Sequence, residues 1–125
     1  MHKYNLTKMA FLVGGLGRRL RSVVSDVPKP MAMVGSKPFL EHLLYYWTKK
    51  GIKTFYFLVS YKSEIIQNYF GSNFLGAKII YCKERVPAGT GGAIKSFLEN
   101  SNSIEDNENI IIMNGDTWLN VDTEF

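Results

Sequence analysis

The chain has 125 residues and a net charge of +4, and 46% of its residues are hydrophobic and 21% charged. This length allows one domain with a hydrophobic core, and the composition excludes an intrinsically disordered chain. The mild basic excess suits an anionic small molecule; the sequence has no basic run or basic helix that would concentrate it for nucleic acid. Cys82 is the single cysteine, so a disulfide within the chain and a cysteine metal site are excluded, and its apolar surroundings predict a buried thiol.

Apolar residues are spread over short runs, and none approaches the roughly 18 residues that span a membrane. The apolar stretch near the N-terminus is too short for a secretory signal, and no small-residue cleavage site follows it. We therefore expect a cytoplasmic protein that does not associate with membranes.

In chain order, the first element is a continuous apolar run, KMAFLV (8–13), which predicts a buried parallel strand. Residues 37–51 predict a helix with Pro38 in its first turn, Gly51 as its stop and His42 on its outer face, without a partner. One stripe of this helix is expected to pack in the core, because its apolar residues recur at helical spacing: Phe39, Leu40, Leu43, Leu44 and Trp47.

The second half of the chain continues the alternation. Residues 52–61 are β-branched and aromatic and predict a strand, and Ser63 can cap a short helix over 63–71 whose apolar face includes Tyr69. A third strand, a helix that opens with glycines, an acidic loop and a fourth strand follow, over 77–84, 89–100, 101–109 and 109–114.

Strands that alternate with helices predict an α/β domain, in which a mostly parallel sheet is covered by helices on both faces. Ligands of such sheets bind at the carboxyl ends of the strands. Glycine-rich or acidic segments follow three of the predicted strands, at 14–21, 84–93 and 114–117, and Lys29 comes soon after the first. We expect these segments to share one edge of the sheet and to form one site.

The first of these segments contains Gly14, Gly15 and Gly17, which let backbone N–H groups approach phosphate oxygens. It does not complete the dinucleotide fingerprint of oxidoreductases, because Leu20 occupies the last glycine position, and the P-loop triplet G-K-[ST] is absent. Both fingerprints are therefore disfavoured; a dinucleotide-binding oxidoreductase domain stays an alternative, as does a plain glycine turn.

Basic residues follow the glycines. Arg18, Arg19 and Arg21 can fork onto phosphate oxygens. Lys29 lies between Pro28 and Pro30, which restrict the backbone, so we expect it to be a positioned cation on an extended, stiffened segment.

Together, the motifs resemble a known family. GGLGRRLRSVVSDVPKPM resembles the signature G-G-x-G-T-R-L followed by P-K-P of the sugar-1-phosphate nucleotidylyltransferases, and the likeness continues through PAGTGGAI and NGDT. It is most similar to the D-glycero-D-manno-heptose 1-phosphate guanylyltransferase branch. The resemblance implies a three-layer, Rossmann-like fold of the nucleotide-diphospho-sugar transferase type. It also implies transfer from an NTP, here GTP, to a sugar 1-phosphate, here a heptose 1-phosphate, with release of pyrophosphate and Mg²⁺ as cofactor.

The family's residue roles carry over onto matching positions. The resemblance implies that the backbone of Gly14, Gly15, Leu16 and Gly17 cradles the triphosphate. It implies that Arg19 neutralises the leaving pyrophosphate, and that Lys29 holds the reacting phosphates.

Roles for the later motifs follow in the same way. Gly89 would lie under the base, next to Thr90, and Asp116 would bind Mg²⁺, with a plain turn residue as the alternative. Glu84 stands where the family has a base-contacting residue and can accept hydrogen bonds from guanine, with an exposed strand-end glutamate as the alternative.

The chain departs from the family at two points. Arg18 replaces the threonine of G-T-R-L, and the family continues well beyond its NGD strand, whereas this sequence ends at Phe125. We therefore expect residues 1–125 to be a nucleotide-binding half, with little transferase activity alone. An inactive relative that binds a nucleotide or partner, and a mannose- or glucose-1-phosphate nucleotidylyltransferase, remain alternatives, and self-association into a homo-oligomer is left open.

Overall fold

The computed structural model describes residues 6–13, 28–59, 63–83, 89–100 and 109–115. The described strands are β1 (Lys8–Leu12), β2 (Met33–Val34), β3 (Lys37–Pro38), β4 (Thr54–Val59), β5 (Asn73–Phe74), β6 (Ala77–Lys83) and β7 (Ile111–Asn114). The described α-helices are α1 (Phe39–Lys49), α2 (Ser63–Phe70) and α3 (Gly89–Asn100), and a 3-10 turn spans Lys29–Met31. The four strands and three helices expected from the sequence are all present, and their ends differ from the prediction by at most two residues.

The main sheet has the strand order β5-β6-β4-β1-β7. β1 lies between β4 and β7 and is parallel to both, and β4 is also parallel to β6, whereas the short β5 pairs antiparallel to β6. The predicted mostly parallel sheet is therefore confirmed. Because these four strands run the same way, their carboxyl ends meet at one edge, called the carboxyl edge below.

Helices cover both faces of this sheet. Met9 and Phe11 of β1 point into a large buried cluster with α1 and α2, which contribute residues such as Trp47 and Ile66. The intervening residues of the strands point to the opposite face of the sheet. There α3 supplies Ala93 and Phe97 to a smaller cluster with Ala10, Tyr56 and Leu58. Both faces of the central strands are apolar because both are buried, and the expected three-layer arrangement is confirmed.

Helix α1 matches its predicted packing face and its predicted stop. Leu40, Leu43, Leu44 and Trp47 are fully buried, and Phe39 packs against them. The helix begins one residue after Pro38, which is extended (φ −60°, ψ 148°). At the other end Gly51 has a φ of +106°, and the N–H of Ile52 donates to the Trp47 carbonyl at 3.1 Å, as in a glycine-terminated helix.

A small antiparallel hairpin, β2–β3, was not predicted. Its strands pair Met33 with Pro38 and Val34 with Lys37, and Nε2 of His42 lies 2.9 Å from the Val34 carbonyl oxygen. His42, expected to have no partner, therefore ties the hairpin to α1. Two-residue strands carry no readable periodicity, which is why the sequence pattern did not reveal them.

Two further side chains differ from expectation. Tyr69 is exposed instead of facing the core, and its hydroxyl donates to the Glu41 carboxylate on α1. Cys82 is partly buried and packs against the smaller cluster, and this burial raises the pKa of its thiol. Within the described part of the chain, no helix is both long and apolar enough to cross a membrane.

Candidate active site

The predicted site residues follow, in the chain, the strands that end at the carboxyl edge of the sheet. In the chain, Gly14 follows β1 after one residue, Glu84 follows β6 directly and Asp116 follows β7 after one residue. The structure therefore brings together the strand ends that carry these segments. Several predicted site residues themselves lie outside the described residues: Gly14, Gly15, Leu16, Gly17, Arg19, Glu84 and Asp116.

Lys29 is the predicted site residue whose side-chain exposure the structure describes. It is exposed, whereas Pro28 and Pro30 on either side of it are buried. Met31, which ends the turn, is only 6% exposed and packs in the large cluster. The chain is thus anchored on both sides of Lys29, whose side chain is exposed.

The backbone at Lys29 differs from the predicted extended segment. Pro28 is extended (φ −59°, ψ 148°), but Lys29 begins a 3-10 turn. The N–H of Met31 donates to the Pro28 carbonyl at 2.8 Å, and the N–H of Ala32 donates to the Lys29 carbonyl at 3.1 Å. The expected rigidity of this segment therefore comes from a hydrogen-bonded turn and buried prolines, not from extension.

Two further backbone hydrogen bonds hold the carboxyl end of β1 to its neighbours, β7 on one side and β4 on the other. The N–H of Gly115 donates to the Leu12 carbonyl at 2.9 Å, and the N–H of Val13 donates to the Leu58 carbonyl at 3.0 Å. Gly115 is buried, and its Cα approaches the side chains of Val13 and Pro30. Three predicted site segments meet at Gly115, a contact that the local sequence pattern does not reveal.

Helix α3 begins at Gly89, and Thr90 is its second residue. The helix connects β6 to β7, two parallel strands of the same sheet, so its N-terminus follows the carboxyl edge and the helix runs back toward the other edge. The N-terminus of a helix presents unpaired N–H groups and a partial positive charge, which favour an anion. Gly89 and Thr90 are thus placed on the expected side of the sheet.

A metal centre built from protein groups alone is not found in the described ranges, where no three His, Cys, Asp or Glu side chains come together. Asp116, for which the sequence predicts a role in binding Mg²⁺, follows Gly115 in the chain and lies outside the described residues.

These features define an α/β domain built on a mostly parallel sheet, and the comparison with known proteins identifies its family. Residues 8–124 match the family described as nucleotidyl transferase, so the chain belongs to that family. Two curated relatives are named D-glycero-alpha-D-manno-heptose 1-phosphate guanylyltransferase. The protein of Aneurinibacillus thermoaerophilus is 49% identical over 89% of this chain and 46% of its own length. The protein of Campylobacter jejuni is 50% identical over 89% of this chain and 48% of its own length.

Solved structures agree with this assignment. HddC from Yersinia pseudotuberculosis, complexed with GMP-PN, has a TM-score of 0.74 and 38% identity over 89% of this chain and 48% of its own. UTP-bound UGPase from Acinetobacter baumannii, at 19% identity and a TM-score of 0.74, shares the fold. The chain spans about half the length of the relatives it matches.

Proposed function

We propose that this chain is the nucleotide-binding half of an enzyme that transfers a guanylyl group from GTP to a heptose 1-phosphate. The observation that carries the proposal is the identity of 49% and 50% to two heptose 1-phosphate guanylyltransferases over 89% of the chain. The meeting of the Lys29 turn, the β1 end and the β7 end at one corner of the sheet supports it.

In the proposed reaction, an oxygen of the sugar 1-phosphate attacks the α-phosphorus of GTP. A new P–O bond forms, the bond from that phosphorus to the bridging oxygen breaks, and pyrophosphate leaves with the electron pair. Such a transfer needs mainly positioning and neutralisation of charge, and no covalent protein intermediate.

The residues that handle the phosphates come from the first glycine segment and the proline turn. Backbone N–H groups of residues 14–17 hold the triphosphate, and Arg19 neutralises the leaving pyrophosphate. Lys29 holds the reacting phosphates from a turn that two buried prolines fix in place. Because the backbone of this turn is already ordered, little backbone entropy is lost when Lys29 binds a phosphate, which suits this role.

The base and the metal involve the other strand ends. Glu84 accepts hydrogen bonds from the N1–H and N2–H₂ edge of guanine, and Gly89 and Thr90 at the start of α3 lie beside the base. Asp116 holds Mg²⁺, which neutralises triphosphate charge when bound.

A binding experiment tests the nucleotide part of this proposal. The chain is titrated with GTP, ATP, CTP and UTP in the presence of Mg²⁺, and heat or fluorescence is measured. We expect GTP to bind most tightly, because the other bases do not offer the same pair of donors to a carboxylate. Equal affinity for all four would contradict the role of Glu84.

The transferase part is tested together with the region of a relative that this chain does not span. Residues 1–125 are fused to the remaining part of the Campylobacter jejuni relative, and pyrophosphate release from GTP is measured with heptose, mannose and glucose 1-phosphates. We expect turnover by the fusion with heptose 1-phosphate, and little by the 125-residue chain alone. Preference for another sugar would replace the proposed acceptor, and a folded fusion without turnover would favour the inactive relative.

Lys29 can be tested with a matched control. Lys29→Ala is expected to weaken GTP binding by about 10- to 100-fold, since a charge-assisted hydrogen bond to phosphate is worth about 1.5–3 kcal/mol. Lys53→Ala removes an exposed lysine that precedes the amino end of β4, at the opposite edge, and should bind GTP like the wild type. Equal binding by both variants, with unchanged circular dichroism, would remove Lys29 from the site.

A further inference from the structure

Gly115 occupies the point where three segments of the proposed site touch. A Cβ built on Gly115 would lie 2.5 Å from Cγ1 of Val13, 3.3 Å from the carbonyl oxygen of Leu12 and 3.4 Å from Cγ of Pro30. The first distance is far inside van der Waals contact, so no side chain fits here without movement of a neighbour.

The neighbour that would have to move is poorly able to do so. Val13 is only 1% exposed and belongs to the large buried cluster, and a β-branched side chain has few rotamers. Its backbone is also fixed, because its N–H donates to the Leu58 carbonyl on β4. An added methyl group at residue 115 would therefore push the end of β7 away from β1 and from the proline turn.

The three residues in contact, Val13, Pro30 and Gly115, are each adjacent in the chain to a proposed site residue. Val13 precedes Gly14 of the triphosphate loop, Pro30 follows Lys29, and Gly115 precedes Asp116. Consecutive Cα atoms are about 3.8 Å apart, so the contact between these three residues constrains the backbone positions from which the site residues extend.

We infer that Gly115 is a positioning residue: its missing side chain lets the end of β7 close against Val13 and Pro30, and so fixes the strand end from which the chain continues to Asp116, the proposed Mg²⁺ ligand. This inference rests on the proposed function. Gly115 thus has a role separate from that of Asp116, and Val13 is the residue against which Gly115 packs.

The test is a double-mutant cycle on GTP affinity, measured with Mg²⁺ and with EDTA, at a temperature where circular dichroism shows every variant folded. Gly115→Ala should weaken GTP binding in Mg²⁺ about tenfold or more, since small misplacements of a site are costly. The loss in EDTA should be smaller, because the carboxylate next to Gly115 acts through the metal. A purely structural defect would not separate the two conditions.

Rescue identifies the contact responsible. Val13→Ala removes the Cγ1 atom that the new methyl group meets, so the double variant should bind GTP within about threefold of Val13→Ala alone. If Gly115→Ala alone does not fold, the comparison of the double variant with Val13→Ala still tests the inference. The double variant is expected to fold.

Three results would overturn the inference alone: GTP affinity of Gly115→Ala equal to that of the wild type, equal losses in Mg²⁺ and EDTA, or a double variant that stays unfolded or weak. Failure of the wild-type chain to bind GTP at all would instead overturn the proposed function, and the inference with it.

Discussion

At the scale of single residues, two tyrosine hydroxyls on neighbouring strands have opposite surroundings. The Tyr56 hydroxyl on β4 is buried and has no hydrogen-bond partner among the described residues, whereas the Tyr81 hydroxyl on β6 donates to the Gly71 carbonyl at 2.7 Å. A buried polar group without a partner costs free energy, and a satisfied one contributes to stability. Substitutions at the two positions therefore distinguish the free-energy cost of burying a tyrosine hydroxyl from the contribution of its hydrogen bond.

We expect the two tyrosine-to-phenylalanine substitutions to differ in sign or size. Tyr81→Phe should lower the free energy of unfolding by about 1 kcal/mol, because a hydrogen bond between β6 and the turn that follows α2 is lost. Tyr56→Phe should leave it unchanged or raise it by up to about 1 kcal/mol, because only an unpartnered hydroxyl is removed. Urea denaturation measures both, and a larger loss for Tyr56→Phe would show that its hydroxyl is satisfied in solution.

Tyr81 also predicts a pH dependence. Burial raises the pKa of Tyr81 from 10.0 to about 12, so the folded state holds the proton more tightly than the unfolded state. The corresponding stability is fully present below pH 10 and is lost as pH rises toward 12. The stability advantage of the wild type over Tyr81→Phe should shrink across this range, and an advantage that stays constant would contradict the assignment.

At the scale of elements, two helix glycines differ in the backbone conformation they adopt: one follows the end of α1 and the other lies within α3. Gly51 ends α1 with a φ of +106°, which residues with a side chain rarely adopt, although a Cβ there would meet nothing within 4 Å. Gly91 lies within α3, also has open space around it, and has no positive φ. The two differ in backbone conformation and not in crowding.

Alanine substitution should reveal this difference. Gly51→Ala is expected to lower the free energy of unfolding by about 1–2 kcal/mol through backbone strain. Gly91→Ala should raise it by about 0.5–1 kcal/mol, because alanine is the better helix former. Thermal or urea denaturation of the two variants is the measurement, and equal effects would mean that the α1 stop relaxes freely.

At the scale of the whole molecule, the sheet separates two apolar layers, which are of unequal size among the described residues. The α1 and α2 side contains Leu40, Leu43, Leu44 and Trp47 from a single helix, whereas α3 contributes Ala93 and Phe97 to the smaller layer. Because apolar burial is the main source of helix stability in a folded protein, we expect α3 to be held less strongly than α1.

Hydrogen exchange should follow this asymmetry. We expect amides of β1 and β4, in the middle of the sheet, to exchange most slowly, and those of α3 to exchange faster than those of α1. Under the proposed function, GTP with Mg²⁺ should slow exchange in the first turn of α3, where Gly89 and Thr90 lie. Equal protection of α1 and α3 without nucleotide would contradict the expected order of stability.

Local sequence pattern predicted the main elements well because their signals are local. The apolar stripe of α1, the glycine at its end and the apolar run of β1 each act within a few residues, and the structure confirms them. The β2–β3 hairpin, β5 and the turn at Lys29 are too short for periodicity, and His42 and Tyr69 found partners on other elements. The predicted roles of Arg19, Glu84 and Asp116 stay predictions.

What the sequence by itself determined is the alternation of strands and helices, the two-faced burial of the central strands and the order of the site motifs along the chain. Only the tertiary structure decided that β1 lies between β4 and β7, and that Gly115, Val13 and Pro30 meet. The physical reason is range. Helix stops and apolar patterns depend on neighbours in sequence, whereas strand order and the space for a side chain depend on residues about a hundred positions apart.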